Sequence, residues 1–499
     1  MTHNLKTYPL SRHSVAPGSP LAGLTCFLAS DLENGEPVLG VSGLAETRQS
    51  PFNHLLFTHD DDNFYALTPE NADVLRGLFP WLRPVPMRSI PAMADLPSFG
   101  FGDRLGLAIP GHIAALRAAA LEGQIYPIFA QQSVRENART GRTPQQVMDD
   151  ATWGVFQSGW QQPWGADADH LKQVSDLLAF VEAGYTFFTV DPGEHVDPGA
   201  DTAARPELME KVAAQDWVEI GAVPLEQAEF VQRYIAFCRQ AGWACVEPEV
   251  EAGTLRAIAK YGRAMLHVAR MFHALQALLP VGFDFEVSVD ETETPTSLLE
   301  HFYIASELKR LDVQFNSLAP RLPGRFEKGV DYIGDLHDLD DQLGHHAAIM
   351  RYFGDYRLSL HSGSDKFSVY PLLVRRVGPA FHVKTAGTSY LEALRVSAAL
   401  QPELFRRIFE LARERYDIDR RTYHVSAEVS RLPDPQTVPD SELPHLLDDF
   451  HARQALHVTF GSALAEYGEE LKTLLKTQPD DTSQALQKHF MRHLMPLVR

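Results

Sequence analysis

The sequence predicts an α/β fold, namely a (β/α)₈ TIM-like barrel with an N-terminal mixed α/β extension and a helical C-terminal tail. From about residue 100, short apolar runs alternate with longer helical segments, the pattern of consecutive parallel βα units. Eight such runs precede residue 395, and eight parallel strands close a barrel. We mark these runs at Leu105–Ile109, Ile125–Ala130, Trp164–Asp167, Thr186–Val190, Phe283–Val289, Val313–Asn316, Arg357–Leu360 and Phe381–Val383.

Three segments differ in pattern and predict the domain organisation. Residues 1–95 hold short apolar runs separated by turn residues, which predicts a strand-rich domain with one helix near Glu70–Leu78. Residues 96–395 form the predicted catalytic barrel, with an insertion at about 195–250. Residues 396–499 are helical in character, and we expect them to pack on the barrel.

Composition excludes several classes of function. The 499 residues include 65 Asp and Glu against 45 Lys and Arg, a formal net charge of −20. Such an acidic chain would repel nucleic acid and anionic membranes. No run of 18 apolar residues is present, and the first residues have no apolar signal core. We therefore expect a cytoplasmic protein with no nucleic-acid or membrane partner; a homo-oligomer is compatible with the sequence.

The three cysteines, Cys26, Cys238 and Cys245, are few and odd in number. This count argues against a disulfide framework. We expect Cys238 and Cys245 to be small buried thiols.

Polar residues cluster where the predicted strands end, which is where barrel enzymes carry their active sites. The run at 283–291 alternates, and its period of two places Asp284, Glu286, Ser288 and Asp290 on one face. Three carboxylates on one face must meet a cation, a base or water, because unpaired buried charge is costly. Histidines beside such carboxylates predict one divalent metal cation, such as Zn, Mn or Co.

Seven long strings surround these residues, namely FAQQSVRENARTGRTPQQVMDDATWGVFQ, GADADHLK, FTVDPGEHV, FDFEVSVDETETPTS, FEKGVDYIGDL, LSLHSGSDKFSVYP and FHVKTAGTSYLEALR. These strings resemble the tagaturonate/fructuronate epimerases of bacterial hexuronate catabolism. The resemblance extends from about residue 100 to the carboxyl terminus and is loose over the first 95 residues. It implies a metal-dependent isomerase that interconverts D-tagaturonate and D-fructuronate.

The chemistry of that reaction limits the routes by which the configuration at one carbon can be inverted. The two keto-acids differ at carbon 4, counted from the CH₂OH end, and the hydrogen there is not α to a carbonyl. Retro-aldol cleavage between carbons 3 and 4, with a metal stabilising the enediolate, would allow inversion by rotation and re-addition. No GxGxxG follows a strand, so we expect no nucleotide cofactor. Direct deprotonation at carbon 4 stays open as another route.

The chemistry of the polar residues in this region suggests a role for each of them. We expect Asp169 and Glu286 to be the two acid/base groups, since inversion suggests one on each face of the substrate. His170, His361 and Glu327 are the predicted metal ligands, with His382 in reserve. Cations expected to hold the substrate carboxylate are Arg104, Arg135, Lys366 and Lys384. The predicted substrate-binding residues are Ser133, Arg135, Thr189, Asp191, Lys366, His382 and Lys384.

Two alternatives remain at this stage. One is a metal-dependent epimerase or isomerase of neutral ketohexoses on the same barrel. The other is a sugar-acid-binding sensor without catalysis, although binding alone rarely needs so many ionisable groups at one mouth.

Overall fold

The computed structural model describes residues 4–31, 35–44, 49–215, 224–354 and 356–498. Part of the predicted insertion at 195–250 therefore lies outside the described residues. Within the described ranges no helix is both long and apolar enough to span a bilayer.

A six-stranded antiparallel sheet occupies the N-terminal region, in the order β1-β3-β4-β6-β5 with β2 paired to β3. The last strand of this sheet in the chain ends at Tyr65, and the Thr68 side chain caps the helix that follows. That helix, α1, spans Pro69–Leu78. The strands are β1 (Leu5–Thr7), β2 (His13–Ser14), β3 (Thr25–Asp31), β4 (Pro37–Ser42), β5 (Leu55–His59) and β6 (Asp62–Tyr65).

Eight parallel strands then close a barrel in chain order, with the last strand hydrogen-bonded to the first. The predicted fold class is thereby confirmed. The barrel strands are β7 (Ser98–Phe101), β8 (Tyr126–Ser133), β9 (Gly165–Leu171), β10 (Phe187–Val190), β11 (Asp284–Ser288), β12 (Ser317–Ala319), β13 (Arg357–Leu360) and β14 (Phe381–Thr385).

Helices follow each barrel strand, and the connection between β10 and β11 is the longest. There α6 and α7 precede the 32-residue helix α8. The helices are α2 (Ile109–Ala118), α3 (Val134–Thr140), α4 (Pro144–Gln157), α5 (Val174–Glu182), α6 (Arg205–Ala213), α7 (Gln227–Ala241), α8 (Glu247–Leu278), α9 (Leu298–Arg310), α10 (Leu336–Phe353), α11 (Tyr370–Val377) and α12 (Thr388–Leu400). The C-terminal region adds α13 (Pro402–Asp419), α14 (Phe450–Val458), α15 (Phe460–Thr477) and α16 (Pro479–Leu494).

Two of the eight predicted strand positions are wrong. The run 105–109 leads into α2 instead of forming a strand, because the Asp103 carboxylate accepts hydrogen bonds from the backbone N–H groups of Leu105, Gly106 and Ala108. The run 313–316 precedes β12. Its last residue, Asn316, uses its side chain to bind the backbone of Phe285 at 2.6 Å, which fastens the base of β11.

The expectation of two free thiols in the insertion is also wrong. Cys238 and Cys245 form a disulfide whose Cα atoms lie 6.3 Å apart. Helix α7 ends at Ala241 and is capped by Gly242, which adopts φ +73°, and the chain turns back so that Cys245 reaches Cys238. Cys26 is a free, buried thiol.

The last long helix, α16, packs on α2 and α12 and so covers the place where the barrel closes. His112 of α2 lies fully buried in this contact, 4.5 Å from the ring centre of Phe490 and 4.9 Å from that of Phe101. Its Nε2 lies 2.8 Å from the Ser389 hydroxyl. Burial lowers the pKa of His112 to about 4, so the imidazole is neutral in the folded protein at neutral pH.

We expect His112 to make folding sensitive to acid. The unfolded imidazole binds a proton below about pH 6.5, whereas the folded one resists protonation until about pH 4. Unfolding therefore becomes easier as pH falls through this window. Between pH 8 and pH 5, the wild type should therefore lose about 2 kcal/mol more of its free energy of unfolding than His112→Phe does.

Urea denaturation at each pH measures this difference. His337→Gln is the matched control, because the side chain of His337 is 84% exposed and water solvates it in both states. Equal slopes for the wild type and His112→Phe would contradict the prediction.

Candidate active site

Inward-facing side chains at the carboxyl ends of the strands form a polar cluster in the barrel mouth. The alternation of each strand directs every second side chain to the inside. Asp167 and Asp169 lie within β9, which extends to Leu171, so they line the barrel rather than cap a helix. The other strand residues of the cluster are Thr189, Glu286, Ser288 and Lys384.

The ammonium of Lys384 lies at the centre of this cluster. Its Nζ is 2.7 Å from Asp167 Oδ2, 2.7 Å from Asp169 Oδ1 and 2.9 Å from Glu286 Oε1, and it donates to the Thr189 hydroxyl. Burial acts to lower the pKa of Lys384, but the three carboxylates outweigh it and raise that pKa. One cation thus offsets several carboxylates that could not be buried alone.

The carboxylates of this cluster differ in protonation. Burial raises the pKa of Asp167 to about 7, even though Lys384 opposes the shift. Burial also acts to raise the pKa values of Asp169 and Glu286, but their charged neighbours hold both well below the usual range. The mouth therefore combines two ionised carboxylates with one carboxyl group that exchanges a proton near neutral pH.

His170, Asp290 and His361 converge beside this cluster. They offer one ligand atom each, and these atoms all lie within 4.8 Å of one another. His361 Nδ1 lies 3.1 Å from Asp290 Oδ1, and His170 Nε2 lies 3.6 Å from the same oxygen. His170 Nε2 is buried without a hydrogen-bond partner among the described residues. Two imidazoles and one carboxylate in this arrangement are a ligand set for a divalent metal.

The second nitrogen of each imidazole is bound by a carboxylate. His170 Nδ1 lies 2.8 Å from Asp169 Oδ1, and His361 Nε2 lies 2.6 Å from Glu286 Oε1. In metal sites such carboxylates set the tautomer and orientation of the ligating histidine. The buried orphan nitrogen of His170 and these two supporting carboxylates both fit a metal at this position.

The backbone is strained at this site. His170 and Ser362 adopt φ values of +53° and +49°, which L-residues rarely adopt. His170 is a member of the histidine pair, and Ser362 directly follows the other member, His361. Strain of this kind is maintained at functional sites by the surrounding structure.

A cavity of 280 Å³ opens beside the cluster, with Asp290, Glu291, Lys328 and His361 in its wall. The C-terminal region contributes the other side through Thr422, Tyr423 and His424. Tyr423 also receives a hydrogen bond of 2.7 Å from Arg139, and the Arg135 guanidinium lies 5.2 Å from its ring centre. The helical tail therefore completes the wall of the site.

The structure brings most of the predicted polar residues together, but not Glu327. The Glu327 carboxylate accepts hydrogen bonds from Ser426 and Gln454 and lies 3.3 Å from Arg325. It does not belong to the group formed by the two histidines, where Asp290 is present instead. Glu286 is fully buried, and both of its oxygens are occupied by Ser317, Thr189, His361 and Lys384.

Several predicted substrate-binding residues make structural contacts. Ser133 caps α3 through a capping box with Glu136. Asp191 accepts a hydrogen bond from the backbone of Gly193 and thus shapes the turn after β10. The Lys366 ammonium, fully buried, donates to the backbone oxygens of Glu327, Val330 and Ser364.

Three further predicted residues lie at different depths in the barrel: His382, Arg104 and Arg135. His382 lies below Lys384 on β14, 2.9 Å from the Ser98 hydroxyl, and burial lowers its pKa to about 3. Arg104 is buried and paired with Glu136 at 2.9 Å. Arg135 lies at the mouth and contacts Glu291 at 3.3 Å.

Sequence reasoning missed Asp290 as a neighbour of the two histidines and Lys328 as a lysine in the cavity wall. Asp290 continues the period-two pattern of Asp284, Glu286 and Ser288, two residues after β11 ends. That pattern predicts that its carboxylate lies on the same side as theirs. Lys328 lies in a long loop after β12, where no periodicity predicts the direction of a side chain.

A second group, Asp365, His489 and His493, also has metal-ligand chemistry. Its polar atoms are already paired within the protein. His489 Nε2 lies 2.7 Å from Asp365 Oδ1, Arg453 donates to Asp365 Oδ2 at 2.9 Å, and His493 Nε2 accepts from the Asp365 backbone N–H. This network fastens the loop after β13 to α14 and α16.

The fold and the polar cluster are those of a (β/α)₈-barrel enzyme, in which polar side chains gather at the carboxyl ends of the strands. The family model for tagaturonate epimerase (UxaE) matches residues 28–497. The chain therefore belongs to the tagaturonate epimerase family, and it is an isomerase of the epimerase type.

Individual relatives agree with this assignment. A tagaturonate/fructuronate epimerase of Thermotoga maritima is 44% identical over 429 residues, which cover 85% of this chain and 84% of the relative. Crystal structures of the fructuronate-tagaturonate epimerase UxaE from Cohnella laeviribosi, native and with glycerol, match with a TM-score of 0.84 and 33% identity. Those matches cover 99% of this chain and 96% of the solved chains.

Proposed function

We propose that this protein interconverts D-tagaturonate and D-fructuronate by inverting the hydroxylated carbon 4. The observation that carries the proposal is membership of the tagaturonate epimerase family over nearly the whole chain. The mouth agrees with it, because its histidines, carboxylates and lysine supply the acid/base and charge-stabilising groups that an epimerisation needs. Cytoplasmic location and self-association remain predictions from the sequence.

We further propose that one divalent cation is held by His170, Asp290 and His361. The donor set and the carboxylates behind both histidines support this ligand set in preference to one that includes Glu327. When bound, such an ion supplies a fixed positive charge where negative charge develops on a substrate oxygen.

The protein residues can move the proton that a retro-aldol route requires. Breaking the bond between carbons 3 and 4 sends its electron pair towards the ketone, while the hydroxyl on carbon 4 loses its proton and becomes an aldehyde. Asp169 is suited to take this proton, because it is ionised and its contacts with Lys384 and His170 both use Oδ1. Rotation of the aldehyde, re-addition to its other face and return of the proton invert carbon 4.

Glu286 supports the same step from below. Its contacts with His361 and Lys384 hold both groups in place, and its burial keeps water from them. We propose that Glu286 contributes through these contacts, together with the acid/base role that its position on β11 predicts.

A direct test is the interconversion of the two keto-uronates, followed by nuclear magnetic resonance. We expect D-tagaturonate and D-fructuronate to be interconverted, activity to be lost on exhaustive chelation, and a divalent ion to restore it. Full activity in a verified metal-free preparation would refute the metal site. Conversion of neutral ketohexoses without conversion of keto-uronates would refute the proposed substrate.

A matched pair of variants locates the metal. His361→Ala should lower the metal content far more than His345→Ala, because His345 lies on α10, outside the group with His170 and Asp290. Elemental analysis of the purified variants measures this. Equal metal content in both variants would remove His361 from the ligand set.

The acid/base assignment predicts a loss of turnover without loss of metal. Asp169→Asn and Glu286→Gln each keep the shape of the side chain but remove a proton-transfer group, so each should lower kcat by about 10²-fold or more. Normal turnover by Glu286→Gln would reassign Glu286 to a structural role.

Chemical rescue separates the two positions. Formate should restore part of the activity of Asp169→Ala, because Asp169 lies at the mouth beside the two histidines. It should not restore Glu286→Ala, because Glu286 has no exposed surface. Rescue of Glu286→Ala alone would reverse the assignment.

The retro-aldol route predicts that the hydrogen on carbon 4 stays on its carbon. In deuterated water, carbon 4 should remain unlabelled, and substrate deuterated at carbon 4 should show no large primary isotope effect on kcat. The first result alone is weaker, since a shielded base can return the same proton. A large primary effect would mean that the slow step breaks the carbon–hydrogen bond.

A further inference from the structure

Keto-uronates differ from neutral ketohexoses by a carboxylate at one end, and the mouth of this barrel is itself rich in carboxylates. Asp169, Glu286, Asp290 and Glu291 all lie in the cluster or in the wall of the cavity. An anionic substrate end entering such a site needs a cation that the protein has not already neutralised.

The cations that the sequence offers for this task are already engaged. Lys384 is surrounded by three carboxylates, and Arg104 is paired with Glu136. Lys366 donates to three backbone oxygens and has no exposed surface. Arg135 contacts Glu291.

Lys328 differs from these four cations in its partners. It lies in the wall of the 280 Å³ cavity, as does His361, and its Nζ donates to the Ser362 hydroxyl at 2.8 Å. Among the described residues, no carboxylate oxygen lies within 4.0 Å of this ammonium. Because Ser362 directly follows His361, the contact places at the histidine side of the cavity a lysine that forms no carboxylate ion pair within the described part of the chain.

The loop that carries Lys328 is held rigidly on both sides of that residue. Lys366 donates to the backbone oxygens of Glu327 and Val330, and Arg453 donates to that of Gly329 at 2.7 Å. Ser426 and Gln454 bind the carboxylate of Glu327, each at 2.7 Å. A cation held in this way is preorganised, so binding a ligand costs little ordering of the loop.

We propose that Lys328 binds the carboxylate of the substrate and thereby selects keto-uronates over neutral ketohexoses. This inference rests on the proposed function for the identity of the substrate. In it, Lys366 and Glu327 are positioning residues that hold the Lys328 loop. The carboxylate belongs to the aldehyde fragment of the retro-aldol route, so Lys328 would also retain that fragment until re-addition.

The test compares Lys328→Met and Lys328→Arg with the wild type. Lys328→Met should raise KM for D-tagaturonate, and the Kd of D-fructuronate measured by calorimetry, by about tenfold or more. Lys328→Arg should recover part of the affinity, because it restores the charge. Lys476→Met is the matched control, since Lys476 is a lysine paired with Glu36, outside the cavity, and it should behave as the wild type.

Inhibition separates charge recognition from general damage. D-gluconate should inhibit the wild type more strongly than its neutral counterpart D-glucitol, and Lys328→Met should abolish this difference. If Lys328→Met does not fold, as judged by circular dichroism, Lys328→Gln takes its place in every measurement.

The outcomes decide the two proposals separately. Unchanged KM, Kd and inhibition in a folded Lys328→Met protein would overturn the role of Lys328 and leave the epimerase function intact. Lys328-dependent binding of D-fructuronate without any turnover by the wild type would support the role of Lys328 and overturn the epimerase function.

Discussion

The burial of the Lys384 ammonium among Asp167, Asp169 and Glu286 is the interaction on which the rest of the site depends. Without that cation, several carboxylates would repel one another in a space from which water is largely excluded. With it, Asp169 and Glu286 remain ionised, and each can bind one histidine. The histidines in turn present their other nitrogens to Asp290, so the arrangement of these three side chains depends on the charge balance around Lys384.

The helical tail belongs to the active site rather than merely to the outside of the barrel. Tyr423 forms part of the cavity wall, while Ser426, Arg453 and Gln454 bind the loop that carries Lys328. The Asp365 network fastens the neighbouring loop to α16. Loops at the mouth of a barrel are the most mobile part of the fold, and here two of them are fixed by residues that come last in the sequence.

The sequence predicted the barrel and six of its eight strand positions, because buried parallel strands are apolar runs between turn residues. It misplaced β7 and β12. The apolar run after β7 is a turn held by the Asp103 carboxylate. The apolar run before β12 ends at Asn316, whose side chain binds the backbone of β11. The inward face of β11 was predictable from its period of two. The partners of Glu327 and Lys366 were not, since both residues bind groups more than 30 positions away through loops without periodicity.

Closure of the barrel joins strands that are far apart in the chain. Ser98 of β7 bonds to His382 of β14 across a separation of 284 residues. During ribosomal synthesis, β7 gains β8 early, but its other edge stays open until β14 has emerged. At a synthesis rate of about 5–20 residues per second, that interval lasts roughly 15–60 s. An exposed parallel edge is a template for pairing with another chain, and during that interval one edge of β7 is not yet covered by its own barrel.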